Sequence, residues 1–222
     1  MSIHTSLLAS YPDLIYQTGF DTAPANWSTG DSAGDVNLTA VYGAFAGSPT
    51  TTYLSSWEGA GGYFVYADLA SLLPNTSSTT STCLNKTYVF YFRTSGIGTN
   101  LCDFIIGADS NGATNAGVRF DGRNGQGVSA PVQQSDWLSR FSTTGTVMFS
   151  QASAVSYNTW HLAKVNIDSS GAQTIWLDGV NLGTTQNVTT SSYLGSYIGF
   201  RCDINTATNS QLNSLQIFNG IC

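Results

Sequence analysis

The segment Tyr157–Gly183 constrains this chain more than any other. It reads Tyr-Asn-Thr-Trp-His-Leu-Ala-Lys-Val-Asn-Ile-Asp, then Ser-Ser-Gly-Ala, then Gln-Thr-Ile-Trp-Leu-Asp-Gly-Val-Asn-Leu-Gly. Val165 and Ile167 share one face of a first strand, and Ile175 and Leu177 share one face of a second. Ser169-Ser170-Gly171 closes the hairpin and Asp178-Gly179 turns the chain again. A two-residue apolar period with turn residues at such short intervals fits β structure and excludes helix.

The rest of the composition agrees. Aromatics make up 12% of the 222 residues and charged residues only 9%. Lys occurs only at Lys86 and Lys164, and Glu only at Glu58, so strong helix formers are scarce. Aromatics spread along the whole chain exclude a disordered polymer. A chain of this length buries a sizeable core as one β domain, so residues 1–222 are expected to form a single unit with 1–12 as an N-terminal arm.

The pairing of Trp160-His161 on one strand with Leu177-Asp178-Gly179 at the end of the next resembles the concanavalin A-like lectin/glucanase superfamily, especially its laminin-G-like members. That resemblance implies an all-β, antiparallel two-sheet jelly-roll sandwich. It leaves function open, because the superfamily holds lectins, glycanases, lyases and adhesion modules.

Along the chain, strands are expected at Leu14–Phe20, Val36–Tyr42, Tyr63–Tyr66, Thr87–Arg93, Leu101–Gly107, Gly117–Asp121, Thr146–Ser150, Tyr193–Cys202 and Leu212–Asn219. Tyr88, Phe90 and Phe92 alternate most clearly against Val89, Tyr91 and Arg93. Thr87–Arg93 and Leu101–Gly107 are expected to pair as a hairpin. Asp21–Gly34 and the stretch around Trp137 read as loops, and Gly47–Thr52 as a turn-rich segment.

The formal net charge is −6. An acidic, Lys-poor chain disfavours nucleic acid and anionic membrane, both of which reward basic patches. No apolar run reaches membrane-spanning length, so no membrane insertion is expected. The short run Ser6–Ala9 follows no Lys or Arg, so no secretory leader is expected after Met1.

Catalytic signatures are sparse. Retaining glycosidases need two carboxyl groups about 5 Å apart. The superfamily's glycanases carry them as Glu-x-Asp-x-x-Glu, and this chain has only Glu58. The lyase pattern Gln-x-His is also missing, since His4 and His161 are the only histidines, and the resemblance gives His161 a structural role. No Gly-x-Ser-x-Gly elbow occurs. The expectation is a non-catalytic module.

Sugar recognition needs an aromatic for the apolar sugar face and polar groups for its hydroxyls. Trp137 with Asp136 is the leading candidate and Trp57 beside Glu58 the second, with Arg123 and Asn124 as further carbohydrate-binding candidates. The Asx-rich stretch from Asp109 imitates the start of a calcium loop, so Asp109, Asn111 and Asp121 are calcium candidates. Asx-Gly sequences are more often turns, and position twelve is Phe120 where an EF-hand has Glu. No cofactor other than calcium is expected.

Cys83, Cys102, Cys202 and Cys222 are too dispersed for a zinc site. Four cysteines allow three connectivities or four buried thiols. The resemblance places the Tyr88–Arg93 strand antiparallel to the last strand. It thereby implies a Cys83–Cys222 bridge, with Cys102–Cys202 as the remaining pair. The function expected is surface recognition or adhesion, directed at a surface glycan or polysaccharide. The expected setting is extracellular or a virion surface, with other subunits of a particle as further partners. The alternatives are a secreted polysaccharide-degrading enzyme with an atypical site and a purely structural assembly protein.

Overall fold

A computed structural model describes residues 13–19, 27–31, 41–44, 52–55, 63–72, 83–93, 101–108, 116–121, 134–141, 146–156, 159–184, 197–202 and 211–222. Among them are fifteen strands and one helical turn. The strands are β1 Leu14–Gly19, β2 Trp27–Asp31, β3 Val41–Ala44, β4 Thr52–Ser55, β5 Tyr63–Asp68, β6 Lys86–Arg93, β7 Leu101–Ala108 and β8 Ala116–Asp121. They continue with β9 Gln134–Phe141, β10 Thr146–Ser156, β11 Trp160–Ile167, β12 Gln173–Leu177, β13 Val180–Thr184, β14 Tyr197–Cys202 and β15 Gln211–Asn219. The helical turn α1 is Leu69–Leu72. No helix among the described residues is long and apolar enough to cross a membrane.

Every pairing is antiparallel. Sheet A runs β13-β12-β11-β6-β15-β4-β3, with β1 also on β15, and sheet B runs β10-β9-β8-β7-β14-β5-β2. The two sheets close on each other through aromatic side chains. Tyr88, Phe90 and Phe92 of β6, Phe104 of β7 and Phe200 of β14 are fully buried. Phe104 meets Tyr88 at 5.6 Å and Phe90 at 4.6 Å between ring centroids, and Phe200 meets Phe90 at 5.3 Å. Ala163, Val165, Ile167, Ile175 and Leu177 extend the same core. Rings of this size contribute about 1.5–3 kcal/mol each by burial, and more through tilted contact.

The Tyr157–Gly183 reading holds, with its hairpin at β11–β12. Asp168 organises its turn: Oδ1 accepts from the N–H groups of Ser170 and Ala172 at 2.8 and 3.0 Å. Gly171 takes φ +85° there. At the next turn Leu177 faces Val180 across two residues, Asp178 (φ +50°) and Gly179 (φ +83°). Two consecutive positive φ values make a type I′ turn, the form that matches strand twist.

Several expectations need correction. β6 and β7 are not a hairpin: β6 pairs with β11 and β15, and β7 with β8 and β14. Each strand carries a row of large apolar residues, and placing them in opposite layers lets those rows bury each other. Trp27–Asp31 is a strand inside the expected Asp21–Gly34 loop, and Thr52, the last residue of the expected turn-rich segment, opens the strand Thr52–Ser55; of the expected Val36–Tyr42 strand, Val41 and Tyr42 lie in β3 and residues 36–40 lie outside the described residues. Trp137 lies within β9, not in a loop, because β8 and β10 supply backbone partners on both sides of a polar sequence.

β6 does lie antiparallel to β15, as the resemblance implied. Cys83 and Cys222 nevertheless remain thiols, the first buried and the second exposed. After Asn219 the chain bends at Gly220 (φ +82°), whose N–H donates to the Asn85 carbonyl at 2.8 Å. It then crosses the outer face of sheet A. Cys222 N–H donates to Thr87 Oγ1 (3.1 Å), and its carbonyl accepts from Lys164 Nζ (2.9 Å) and Asn166 Nδ2 (3.1 Å). Cys83 stays on the core side, its carbonyl accepting from the Tyr88 hydroxyl at 2.9 Å.

Candidate functional site

Each sheet turns one face to the core and one outward, and the outward faces differ in kind. On sheet A the outward positions include Tyr91, Trp160, Leu162, Lys164 and Trp176. Tyr91 stacks on Trp160, with centroids 5.2 Å apart and planes 20° from parallel. Lys164 Nζ sits 4.0 Å from the centre of the Trp176 ring. Leu162, 45% exposed, stands beside Tyr91 in register. A sugar stacks on an open ring face. Here Tyr91 and Trp160 each use one face on the other, and Trp176 gives one face to a cation.

The Trp-His and Leu-Asp-Gly halves of the hairpin join through His161, on the core side of β11. His161 is buried against Phe92, and its Nδ1 lies 2.7 Å from Asp178 Oδ2. Asp178 Oδ1 accepts the Leu162 N–H at 2.9 Å, and the Asp178 N–H donates to the Leu162 carbonyl at 2.9 Å. The motif is therefore a clasp that fixes the β12–β13 turn against β11, the structural role the resemblance implied for His161. Burial, with the nearby Asp178 charge, lifts the Tyr91 hydroxyl above its ordinary pKa. Burial lowers that of the Lys86 ammonium, partly offset by Cys83.

Sheet B is built differently. Directly facing residues of antiparallel strands lie on the same face. The facing pair Phe104–Phe200 marks the core side. Residues one step along each strand therefore belong to the outward face. One outward row runs Phe64, Arg201, Asp103, Arg119 and Leu138 across β5, β14, β7, β8 and β9. The next outward row runs Tyr66, Gly199, Ile105, Gly117 and Arg140 over the same strands. On the other side of the charged row, Asp121 faces Asp136.

Three of the chain's seven basic residues, Arg119, Arg140 and Arg201, thus share one sheet face with four of its thirteen acidic residues, Asp68, Asp103, Asp121 and Asp136. Opposite charges directly across strands support the sheet by roughly 0.2–1 kcal/mol per pair. Arg and Asp positions together also supply donors and acceptors for hydroxyl groups. Glycine within a strand often marks a close approach of another molecule to the backbone, and Gly199 and Gly117 flank Ile105 between the aromatic position Tyr66 and Arg140.

The predicted site residues divide. Asp136 and Asp121 meet at the end of the outward face. Trp137 pairs with Phe120, which pairs with Cys102, and so belongs to the face that carries Phe104 and Phe200. Arg123, Asn124, Trp57, Asp109 and Asn111 lie outside the described residues. Among the described residues no group of three His, Cys, Asp or Glu is placed to hold a metal ion. Reading the sequence missed Arg201, Asp103, Arg119 and the two glycines. Their signal was charge on alternate positions of apolar strands, as in Cys-Asp-Phe-Ile and Gly-Val-Arg-Phe.

Compared as a sequence, the chain matches no family model and no curated protein. As a fold it is similar to many solved structures. One is a Bacillus subtilis protein of unknown function with a galectin-like fold, at TM-score 0.62 and 10% identity over 96% of this chain and 98% of that one. The fold is the concanavalin A-like jelly roll. Domain 4 of AbnA, an extracellular arabinanase from Geobacillus stearothermophilus solved with arabinotriose, shares this jelly roll at TM-score 0.58 and 14% identity, over 94% and 93% of the two chains. The Emp47p carbohydrate recognition domain shares it at 0.55 and 15%, over 95% of each chain.

Proposed function

We propose that this protein is a non-catalytic glycan-binding module and that the outward face of sheet B is its recognition surface. The observation that carries this reading is the row Phe64–Arg201–Asp103–Arg119 lying beside the glycine-bearing row Tyr66–Gly199–Ile105–Gly117–Arg140. Aromatic positions serve the apolar sugar face, Arg and Asp positions serve hydroxyls, and Gly117 lets the ligand lie close to the sheet. Similar jelly rolls named for carbohydrate recognition or solved with an oligosaccharide support it. Such a module works where polysaccharide is displayed, so the setting we propose is extracellular or a virion surface.

Affinity electrophoresis against a polysaccharide panel tests the reading. At least one polysaccharide should retard the protein, and Gly117→Val should abolish the retardation with the fold intact by circular dichroism. Retention of full binding by Gly117→Val would remove this face from consideration.

One register position favours the enzymatic alternative. Asp121 and Asp136 face each other, and facing residues have Cβ atoms about 4.5–5.5 Å apart. Paired carboxyl groups at similar spacing serve retaining glycosidases. Release of reducing ends from the same panel, lost in Asp136→Asn, would replace the binding reading with that one.

A further inference from the structure

We propose that Cys102 and Cys202 form a disulfide that staples β7 to β14. The two residues are direct partners in the β7–β14 ladder, which runs without a shift from Ile106–Ile198 to Cys102–Cys202. Facing Cα atoms in antiparallel strands lie about 4.5–5.5 Å apart, inside the roughly 4.4–6.8 Å range that a disulfide spans. Both cysteines stand two residues from a core phenylalanine, Phe104 or Phe200, and so belong to the same face of sheet B. No other pairing fits as well. Cys83 is buried just before β6 of sheet A, and Cys222 is exposed on the outer face of that sheet.

The chemistry balances with a small-molecule disulfide as oxidant. The Cys102 and Cys202 thiols lose two protons and two electrons as the S–S bond forms, and one oxidised glutathione becomes two reduced molecules. The bridge sits one residue from each half of the Arg201–Asp103 pair, so it fixes the register that brings those two residues together. A one-residue slip between these strands would send each to the opposite face. The inference rests on the ladder alone and stands whether or not that face binds glycan.

Equilibrating the full chain with oxidised glutathione, alkylating it in denaturant and digesting without reduction tests the proposal. The expected product is one cross-linked species joining the Cys102 and Cys202 peptides, with Cys83 and Cys222 alkylated. Reduction should lower the wild-type Tm by on the order of 10 °C, since the bridge closes a long loop. A Cys102→Ala/Cys202→Ala variant should show no such response to reductant. Alkylation of both Cys102 and Cys202 after oxidation, a bridge to Cys83 or Cys222, or a wild-type Tm indifferent to reductant would overturn it.

Discussion

The outward faces of the two sheets start from similar strand sequences and end as different surfaces. Sheet A carries the visible aromatics, Tyr91, Trp160 and Trp176, yet these engage each other or Lys164. The chain end, Gly220 to Cys222, also lies over Thr87 and Asn166 on that face. Sheet B carries alternating charge and glycine in register. The contrast teaches that a surface tryptophan is a sugar platform only when its ring face is open. In a chain with 9% charged residues, the proposed recognition surface follows where the charges gather rather than where the tryptophans stand.

The sharpest way to break that comparison is to exchange its predicted consequences. Arg119→Ala/Arg201→Ala should weaken polysaccharide binding about a hundredfold by calorimetry, because two charged donors are removed. Trp160→Ala should leave affinity within about twofold. The reverse pattern would move recognition to sheet A. His161→Ala should cost about 2–3 kcal/mol in urea unfolding, through a buried ring and its bond to Asp178. Affinity of the folded fraction should not change, and a loss of binding there would join the clasp to the site.

A smaller effect is expected at Lys164→Met, about 0.5–1 kcal/mol of thermal stability, from the lost contact with Trp176 and the Cys222 carbonyl. The smallest effect should be visible only in alkali. The Tyr91 pKa is raised in the folded state, so the folded chain holds that proton more tightly than the unfolded chain. The resulting stability is fully present below the ordinary tyrosine value near 10 and is lost as pH rises through the raised value. Wild type should therefore lose more stability than Tyr91→Phe over that window, and equal losses would contradict the sheltered position of Tyr91 on sheet A.

Much of the fold was legible because its signals are local. Alternation in Tyr88–Phe90–Phe92 and Val165–Ile167 marked strands and their buried faces, and all five of these side chains are core. Asp168 and Asp178-Gly179 marked turns through side-chain hydrogen bonding and tolerance of positive φ. The polar strand β9 was not legible, since Gln-Ser-Asp-Trp-Leu-Ser has loop composition and becomes a strand only between β8 and β10. The His161–Asp178 clasp had a trace, because both residues belong to the motif that carried the resemblance.

The sequence by itself determined an all-β chain, the inner residues of its strongest strands and the shape of its tight turns. Each of these follows from a two-residue period or from one residue's backbone preference. Tertiary structure alone decided that β6 and β7 part into opposite layers, that Trp137 falls in register with Phe120 and Cys102, and that Arg201 faces Asp103, and Asp103 faces Arg119, across nearly a hundred residues of chain. Partners so distant in sequence meet only through strand register, and register is set by how two whole sheets bury their apolar faces against each other.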